Sequence, residues 1–406
     1  MKNISLKAIR IPTIAFIIPI LLIYFMPMKI LGMNLKNELV LPLSLLFFLL
    51  CFFFLKFSFK SNAVKYVIYG LFFSFVFLFK LLKNQEKILI KDIIECFKPL
   101  YFCLFFIVGK KASEIYSLES VARFIVILLL FGVLFSSLVY FQFSYPILDL
   151  YKGRTSDEGN LYHFLRFSGF FGYPSMFGIY LILGMILTVC VDFTQYKKAT
   201  LLLLFIGFAF TMSKTGFVLF VLLVGYYLIM KGTVKDIILT ISIFFIVFLV
   251  ITIYFFDDFL VVFNAFSSID GLLSSTFSHR FREIILSINI LTSENFDGFG
   301  PSNTYLKINH GPVENVLFFY VFKFGYFGLI YYINLISFTT YKFFKESETP
   351  IKLVILWCLL SLLIGSLAES ITEEYKTLYF FPLLLGFFSN KKGRQKRQLT
   401  MLLGKV

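Results

Sequence analysis

The chain is divided into recurring apolar runs, and this pattern constrains the fold more than any other feature. Most runs approach the length of about 17–25 residues that an α-helix needs to cross a bilayer. Charged residues make up only 15% of the chain, whereas a soluble domain carries about 25%. The sequence therefore predicts a single all-α integral membrane domain over residues 1–406, with about twelve transmembrane helices. The runs lie at residues 11–28, 39–55, 64–79, 93–109, 121–142, 173–191, 199–212, 215–230, 236–256, 313–338, 351–368 and 376–389.

The distribution of basic residues predicts the orientation of the chain. Most of the 38 Lys and Arg residues fall in segments that are cytoplasmic if the N-terminus is inside. The positive-inside rule therefore places both termini in the cytoplasm, with the basic tail at 390–406 against anionic lipid. The net charge of +15 is explained in this way and does not indicate nucleic acid as a partner. Four lysines in a predicted outward loop run against the rule: Lys80, Lys83, Lys87 and Lys91.

Two predicted outward segments, 143–172 and 257–312, are longer than the other connections, and the second contains an amphipathic helical pattern in "SHRFREIILSINILTS". Arginine clusters on the side that should be poor in positive charge are typical of a site for an anionic ligand, because the guanidinium binds phosphate oxygens in pairs. The histidines lack the spacing of a zinc site, so no metal is expected. The histidines and arginines in these two outward segments are His163, His279, His310, Arg154, Arg166, Arg280 and Arg282.

Lys214 interrupts the apolar stretch "FTMSKTGFVLF". A charged lysine at the centre of a membrane helix costs about 2.5–3.5 kcal/mol, so this residue marks a break between two spans or a functional charge. Counting the spans places "SKTG" at the outer surface, on the side of the arginines. A lysine that merely extends toward the interface is the alternative. Lys323, inside a predicted span, indicates either a helix that begins at the interface or a residue that lines the site.

Two segments carry a resemblance to a known family. "TMSKTGFVLFVLLV" is similar to a Ser-Arg/Lys-Thr-Gly signature, and "RFSGFFGYPS" to an Arg-x-x-Gly-x-Phe-x-x-Pro-Asn segment, with Ser175 in place of Asn. Together with the later "DGFGPSN" and "KFGYFGLI", they resemble the O-antigen polymerase and O-antigen ligase superfamily of bacterial inner-membrane proteins. Ligases of that superfamily have a His-containing pair before Gly-x-x-Gly, where this chain has Glu314 and Asn315 before Gly325 and Gly328. The resemblance therefore favours the polymerase branch, although His310 lies four residues upstream of Glu314.

The resemblance implies a metal-independent glycosyltransferase, without a cofactor, in the bacterial cytoplasmic membrane. It would join oligosaccharide repeats on undecaprenyl diphosphate into O-antigen or capsule, with membrane lipid and a chain-length regulator as further partners. A base must take a proton from the acceptor hydroxyl, and Glu314 or His310 is the candidate. Positive groups must stabilise the departing diphosphate. The candidates for this role are Arg154, Arg166, Lys214, Arg280 and Arg282.

Three other functions remain open at this point. A ligase would transfer finished glycan to a lipid or other acceptor. A flippase for lipid-linked oligosaccharide also has many spans, but such transporters usually contain two similar halves. A membrane scaffold would leave the outward arginines and histidines unexplained.

Cysteine labelling tests the predicted topology. In a variant without the five native cysteines, a cysteine at Ser156 or Ser302 should react with an impermeant maleimide outside intact cells, because both positions fall in predicted outward loops. A cysteine at Thr400, in the basic tail, is the control and should react only after the membrane is opened. Reaction of either loop position only from the cytoplasmic side would contradict the topology.

Overall fold

The computed structural model describes a defined set of residues, and these form ten helices and one short pair of strands. The described residues are 20–21, 24–25, 29–30, 33–34, 61–84, 88, 90–140, 166–171, 173–190, 196–231, 292, 298, 316–365 and 375–390. The strands Lys29–Ile30 (β1) and Met33–Asn34 (β2) pair antiparallel. The helices are Ser61–Asn84 (α1), Ile90–Cys96 (α2), Lys98–Ile115 (α3), Leu118–Tyr140 (α4), Pro174–Cys190 (α5), Lys197–Thr211 (α6), Lys214–Lys231 (α7), Val316–Lys345 (α8), Thr349–Leu360 (α9) and Tyr375–Phe388 (α10). Gly169–Phe171 forms a 3-10 turn, and Ser361–Gly365 forms a π-helical turn that continues α9.

The helical architecture predicted from the apolar runs is confirmed for the described residues, which are mostly helical. By length and composition, three described segments are long and apolar enough to cross a membrane: Ala63–Lys83, Leu118–Leu138 and Phe318–Lys345, the last of which contains a non-helical residue at Gly325. The full count of about twelve spans stays a prediction, because it includes runs outside the described residues. Almost all of 143–172, 257–312 and 390–406 also lies outside them.

One face of α1 is apolar and exposed, as expected of a helix that faces lipid. Its residues follow a helical spacing, and more than half of the surface of each is exposed. In a soluble protein a stripe of this size would be an interaction surface or would cause aggregation. A hydrocarbon environment explains it, since lipid tails are as apolar as the side chains. The residues are Ile68, Phe72, Phe75, Phe79 and Leu82.

The interior of the bundle contains two apolar cores. The larger core includes Trp357, which is fully buried and whose Nε1 donates to the carbonyl of Ile179, at 2.9 Å. This bond satisfies the indole N–H in a region without water. The smaller core is aromatic and joins α1 and α2 to α8. Its buried members are Phe73, Phe77, Leu81, Cys96, Tyr320, Phe324, Tyr331 and Tyr332.

The closest helix crossing joins α3 to α10 through two glycines. A Cβ atom added at Gly109 would lie 2.0 Å from the carbonyl oxygen of Leu383, and one added at Gly386 would lie 2.1 Å from that of Phe106. Small residues allow the two backbones to approach in this way, which is the usual basis of helix association in membranes. Beyond the crossing, Asn390 Nδ2 donates to the carbonyl of Lys110 at 2.9 Å. The two helices therefore run parallel and are fixed along their length.

Alanine substitution tests the glycine crossing. Gly109→Ala or Gly386→Ala should lower the free energy of unfolding by about 1–3 kcal/mol or more, because the new methyl group would meet backbone atoms that cannot move aside. Gly225→Ala is the matched control, since a Cβ atom there has nothing within 4 Å. We expect the control to be neutral or to raise stability by up to about 1 kcal/mol, through the higher helix propensity of alanine. Thermal unfolding in detergent, monitored by the loss of monodisperse protein, compares the three variants. Equal effects at all three glycines would contradict the crossing.

Candidate functional site

The break predicted at Lys214 is a sharp turn between α6 and α7. Helix α6 ends at Thr211, and Met212 follows in the left-handed region with φ 47°. This conformation costs a non-glycine residue about 1–2 kcal/mol, so neighbouring contacts must stabilise it. Ser213 then caps α7, because its Oγ accepts a hydrogen bond from Gly216 N at 2.9 Å. Lys214 is the first residue of α7.

Arg166 supplies the hydrogen bonds that stabilise this turn. Its Nε donates to the carbonyl of Thr211 at 2.8 Å, and its Nη2 donates to the carbonyl of Met212 at 3.1 Å. The carbonyls at the end of a helix have no donor within the helix, and a cation there also interacts favourably with the helix dipole. Next to it, Phe167 N donates to the carbonyl of Phe210 at 3.0 Å. Arg166 therefore caps α6 from a position 45 residues earlier in the chain.

The segment that carries Arg166 is itself fixed to the bundle. Gly169 N donates to Ser136 Oγ on α4 at 2.8 Å. The ring of Phe167 stacks on that of Phe210, with centroids 4.8 Å apart. Both contacts hold the segment against the ends of α4 and α6. Arg166 thus lies on a supported backbone, as a residue in a functional site requires.

The turn is electrostatically suited to an anion. The first N–H groups of α7 carry the positive end of the helix dipole, and such helix ends bind phosphate and carboxylate groups. Lys214 stands at this position, where a lysine is unfavourable for helix stability and adds a positive charge. Arg166 supplies a second basic group, and its guanidinium is hydrogen bonded to the same turn. The turn therefore collects basic groups from two distant segments.

The structure thus brings together two of the residues that the sequence indicates. Lys214 was expected on the same side as the outward arginines, and Arg166 lies at the turn that precedes it. The contacts of Arg166 with the two carbonyls were not expected. The other candidates, Arg154, Arg280, Arg282, His310 and Glu314, lie outside the described residues, and their roles stay predictions.

A second group of charges, which we call the charged cluster, consists of Asp92, Glu95, Lys98 and Lys323. Lys323 on α8 is fully buried and forms an ion pair with Glu95 on α2. Its Nζ lies 3.5 Å from the centroid of the Phe319 ring, and Lys98 Nζ lies 5.9 Å from the same centroid. Asp92 and Lys98 are also buried. Lys323 therefore lies in a packed ionic group and not at a solvated interface.

Sequence reasoning missed the acidic half of this cluster. Asp92 and Glu95 lie in α2, a helix of seven residues between the lysine-rich loop and α3. The available signal was that Lys98 and Lys323 both fall inside apolar runs, where an ionisable residue usually has a partner. No three His, Cys, Asp or Glu side chains within the described ranges are grouped closely enough to hold a metal ion.

The charged cluster adjoins a turn inside α8 at Gly325. This glycine has φ 59° and ψ −139°, a conformation essentially restricted to glycine. The centroids of the Tyr320 and Tyr331 rings are 5.4 Å apart, whereas eleven residues of straight helix would separate them by about 16 Å. The segment before Gly325 therefore folds back on the helix after it. Gly298, from the second long loop, approaches the same turn, since a Cβ atom there would lie 2.5 Å from Gly325 N.

The helices that carry the two turns, α7 and α8, contact each other away from these turns. Tyr226, in the second half of α7, packs against Phe343 near the end of α8, with ring centroids 5.9 Å apart. Lys352 Nζ, at the start of α9, lies 4.8 Å from the centroid of the Phe343 ring. These contacts gather the ends of α7 and α8 opposite Lys214 and Gly325. The Lys214 turn begins α7 and the Gly325 turn precedes the second half of α8, so each turn lies at the end of its helix that is away from these contacts.

No family model matches the sequence, and no curated protein matches it.

Substitution of Arg166 tests its role at the turn. Arg166→Lys should lower the free energy of unfolding by about 1–3 kcal/mol, because one ammonium cannot reproduce the planar pair of hydrogen bonds to Thr211 and Met212. Arg123→Lys is the control, since Arg123 forms an exposed ion pair with Glu119, and we expect a change within about 0.5 kcal/mol. Thermal unfolding of the purified proteins measures both. An Arg166→Lys variant as stable as the control would show that the cap contributes nothing.

Proposed function

We propose that this protein polymerises oligosaccharide repeats linked to undecaprenyl diphosphate, on the outer face of a bacterial cytoplasmic membrane. The growing glycan is transferred from its lipid diphosphate to the sugar of an incoming lipid-linked repeat. The product is a surface polysaccharide such as O-antigen or capsule. The apolar helices are compatible with this location.

One observation carries the proposal: the two segments that resemble the superfamily meet in the fold. The "RFSG" segment and the "SKTG" segment are joined by the hydrogen bonds of Arg166 and Phe167 to the turn before α7. A shared site accounts for the contact between the two segments. It also explains a lysine at the positive end of a helix, a position that favours an anion.

The proposed chemistry needs little more than positioned charge. As the glycosidic bond to the lipid diphosphate breaks, negative charge builds on the departing phosphate oxygen. Basic groups fixed in advance in a water-poor site stabilise this charge more strongly than water does. Lys214 is the proposed diphosphate contact, and Arg166 holds the turn that presents it. Arg154, Arg280 and Arg282 remain candidates for further contacts.

Lys214 substitutions test the proposal in purified protein supplied with lipid-linked repeats. Lys214→Ala should slow chain elongation about ten- to a hundred-fold, the loss expected for one charge-assisted contact, while Lys214→Arg should keep much of the rate. Lys231→Ala, at the other end of α7, is the matched control and should be fully active. Normal elongation by Lys214→Ala would show that this lysine has no role in binding the diphosphate.

The glycan made by a strain that lacks the protein separates the possible functions. Loss of a polymerase should leave single repeat units on the surface acceptor. Loss of a ligase should leave polymer that is not attached to its acceptor, and loss of a flippase should abolish both. Either of the last two patterns would contradict the polymerase proposal.

A further inference from the structure

The charged cluster is not explained by stability. Removing charge from water is unfavourable, and a buried ion pair regains this cost only in part. Apolar residues of similar volume at the same positions are often equally or more stabilising. Ionisable residues inside a membrane bundle therefore indicate function. The charges of Asp92, Glu95, Lys98 and Lys323 balance formally, so the cluster is suited to proton exchange more than to binding a highly charged ion.

Within the cluster, Glu95 has the most exposed side chain. The side chain of Lys323 has no exposed surface, whereas that of Glu95 is 13% exposed. Asp92 and Lys98 are only 1% and 3% exposed. Glu95 is therefore the least buried member of the cluster. The carboxylate of Glu95 forms an ion pair with the Lys323 ammonium, and a carboxylate is a group that can accept a proton from a hydroxyl.

The surroundings of Glu95 are those expected on the acceptor side of the proposed site. Its partner Lys323 is two residues from the Gly325 turn, where Gly298 of the second long loop also approaches. Helix α8, which contains this turn, contacts α7, the helix that Lys214 begins, through the rings of Phe343 and Tyr226. The aromatic ring of Phe319 lies beside the Lys323 ammonium. A carboxylate, an ammonium and an aromatic face are the groups that bind sugar hydroxyls and the C–H face of a sugar ring.

We propose that Glu95 accepts the proton of the acceptor sugar hydroxyl, an inference that rests on the proposed glycosyl transfer. The hydroxyl oxygen forms its new bond to the anomeric carbon as its proton passes to the Glu95 carboxylate. The bond between that carbon and the diphosphate oxygen breaks, and the diphosphate leaves with the electron pair. Glu95 later releases the proton to water. While Glu95 is neutral, Lys323 is no longer balanced, so positive charge increases in the site as the leaving group becomes more negative.

This assignment differs from the one indicated by the sequence, which pointed to Glu314 or His310. The two assignments can be distinguished because the charges of Glu95 and Lys323 can be removed together. Glu95→Gln removes the proton acceptor. It also leaves the buried Lys323 charge without its carboxylate partner, which can harm folding. The double variant Glu95→Gln with Lys323→Met removes both charges at similar volume. It should therefore fold at least as well as Glu95→Gln alone.

The experiment measures elongation of purified lipid-linked repeats and thermal unfolding of the same preparations. We expect Glu95→Gln to slow elongation by about a hundred-fold or more, as for loss of a general base. The double variant should regain thermal stability and remain equally slow. Glu114→Gln is the matched control, because Glu114 pairs with Lys111 at 2.9 Å on the more exposed end of α3, and it should elongate normally.

Each outcome bears on the inference. Recovery of elongation in the double variant would show that the pair is structural and would overturn the proposal. Near-normal elongation by Glu95→Gln, with Glu314→Gln inactive, would overturn it in favour of the sequence-based candidate. If Glu95→Gln does not fold, the folded double variant decides alone: a slow enzyme supports the role and an active one refutes it. Wild-type protein that makes no polymer would instead reject the proposed function itself, and the inference with it.

Discussion

The carbonyl groups at a helix end have no donor within the helix, and the described fold depends on side chains that supply the missing donors. Arg166 does so for α6. Lys197 Nζ donates to the carbonyl of Val189 at the end of α5, at 3.1 Å, and the Tyr332 hydroxyl donates to the carbonyl of Leu362 in the π-helical turn. Each unsatisfied carbonyl would cost several kcal/mol in hydrocarbon. These polar residues are therefore part of the framework, even where they also serve function.

The groups proposed to bind the leaving diphosphate and the group proposed to accept the proton are held in different ways. At the Lys214 turn, a basic side chain is held by neutral carbonyls, which fix its position and leave its formal charge intact. At the Gly325 turn, basic and acidic side chains are paired, so the formal charges of the cluster cancel. The first construction suits a leaving group that must be stabilised by positive charge. The second suits a step in which a proton changes place.

Most of the described helices were predictable from the sequence, but the break between α2 and α3, the turn at Gly325 and the contacts between helices were not. The apolar runs set the helix limits, because the length of hydrocarbon to be crossed determines how long a run must be. The interruption at Lys214 likewise located the turn after α6. The Glu95–Lys323 pair joins residues 228 positions apart, and no local pattern encodes it. The cap by Arg166 was missed for a related reason: an outward arginine was interpreted by its charge, whereas its planar donors also serve the backbone.

The parallel crossing of α3 and α10 has a consequence for how the chain is assembled in the membrane. Asn390 reaches back to Ser113 across 277 residues, so the contact joins an early helix to the last described one. Helices enter the membrane in the order of their synthesis, so the side of α3 that faces α10 cannot make this contact until residues 375–390 have been synthesised. A ribosome that stops before Tyr375 therefore releases a chain in which α3 has no α10 to pack against at Gly109.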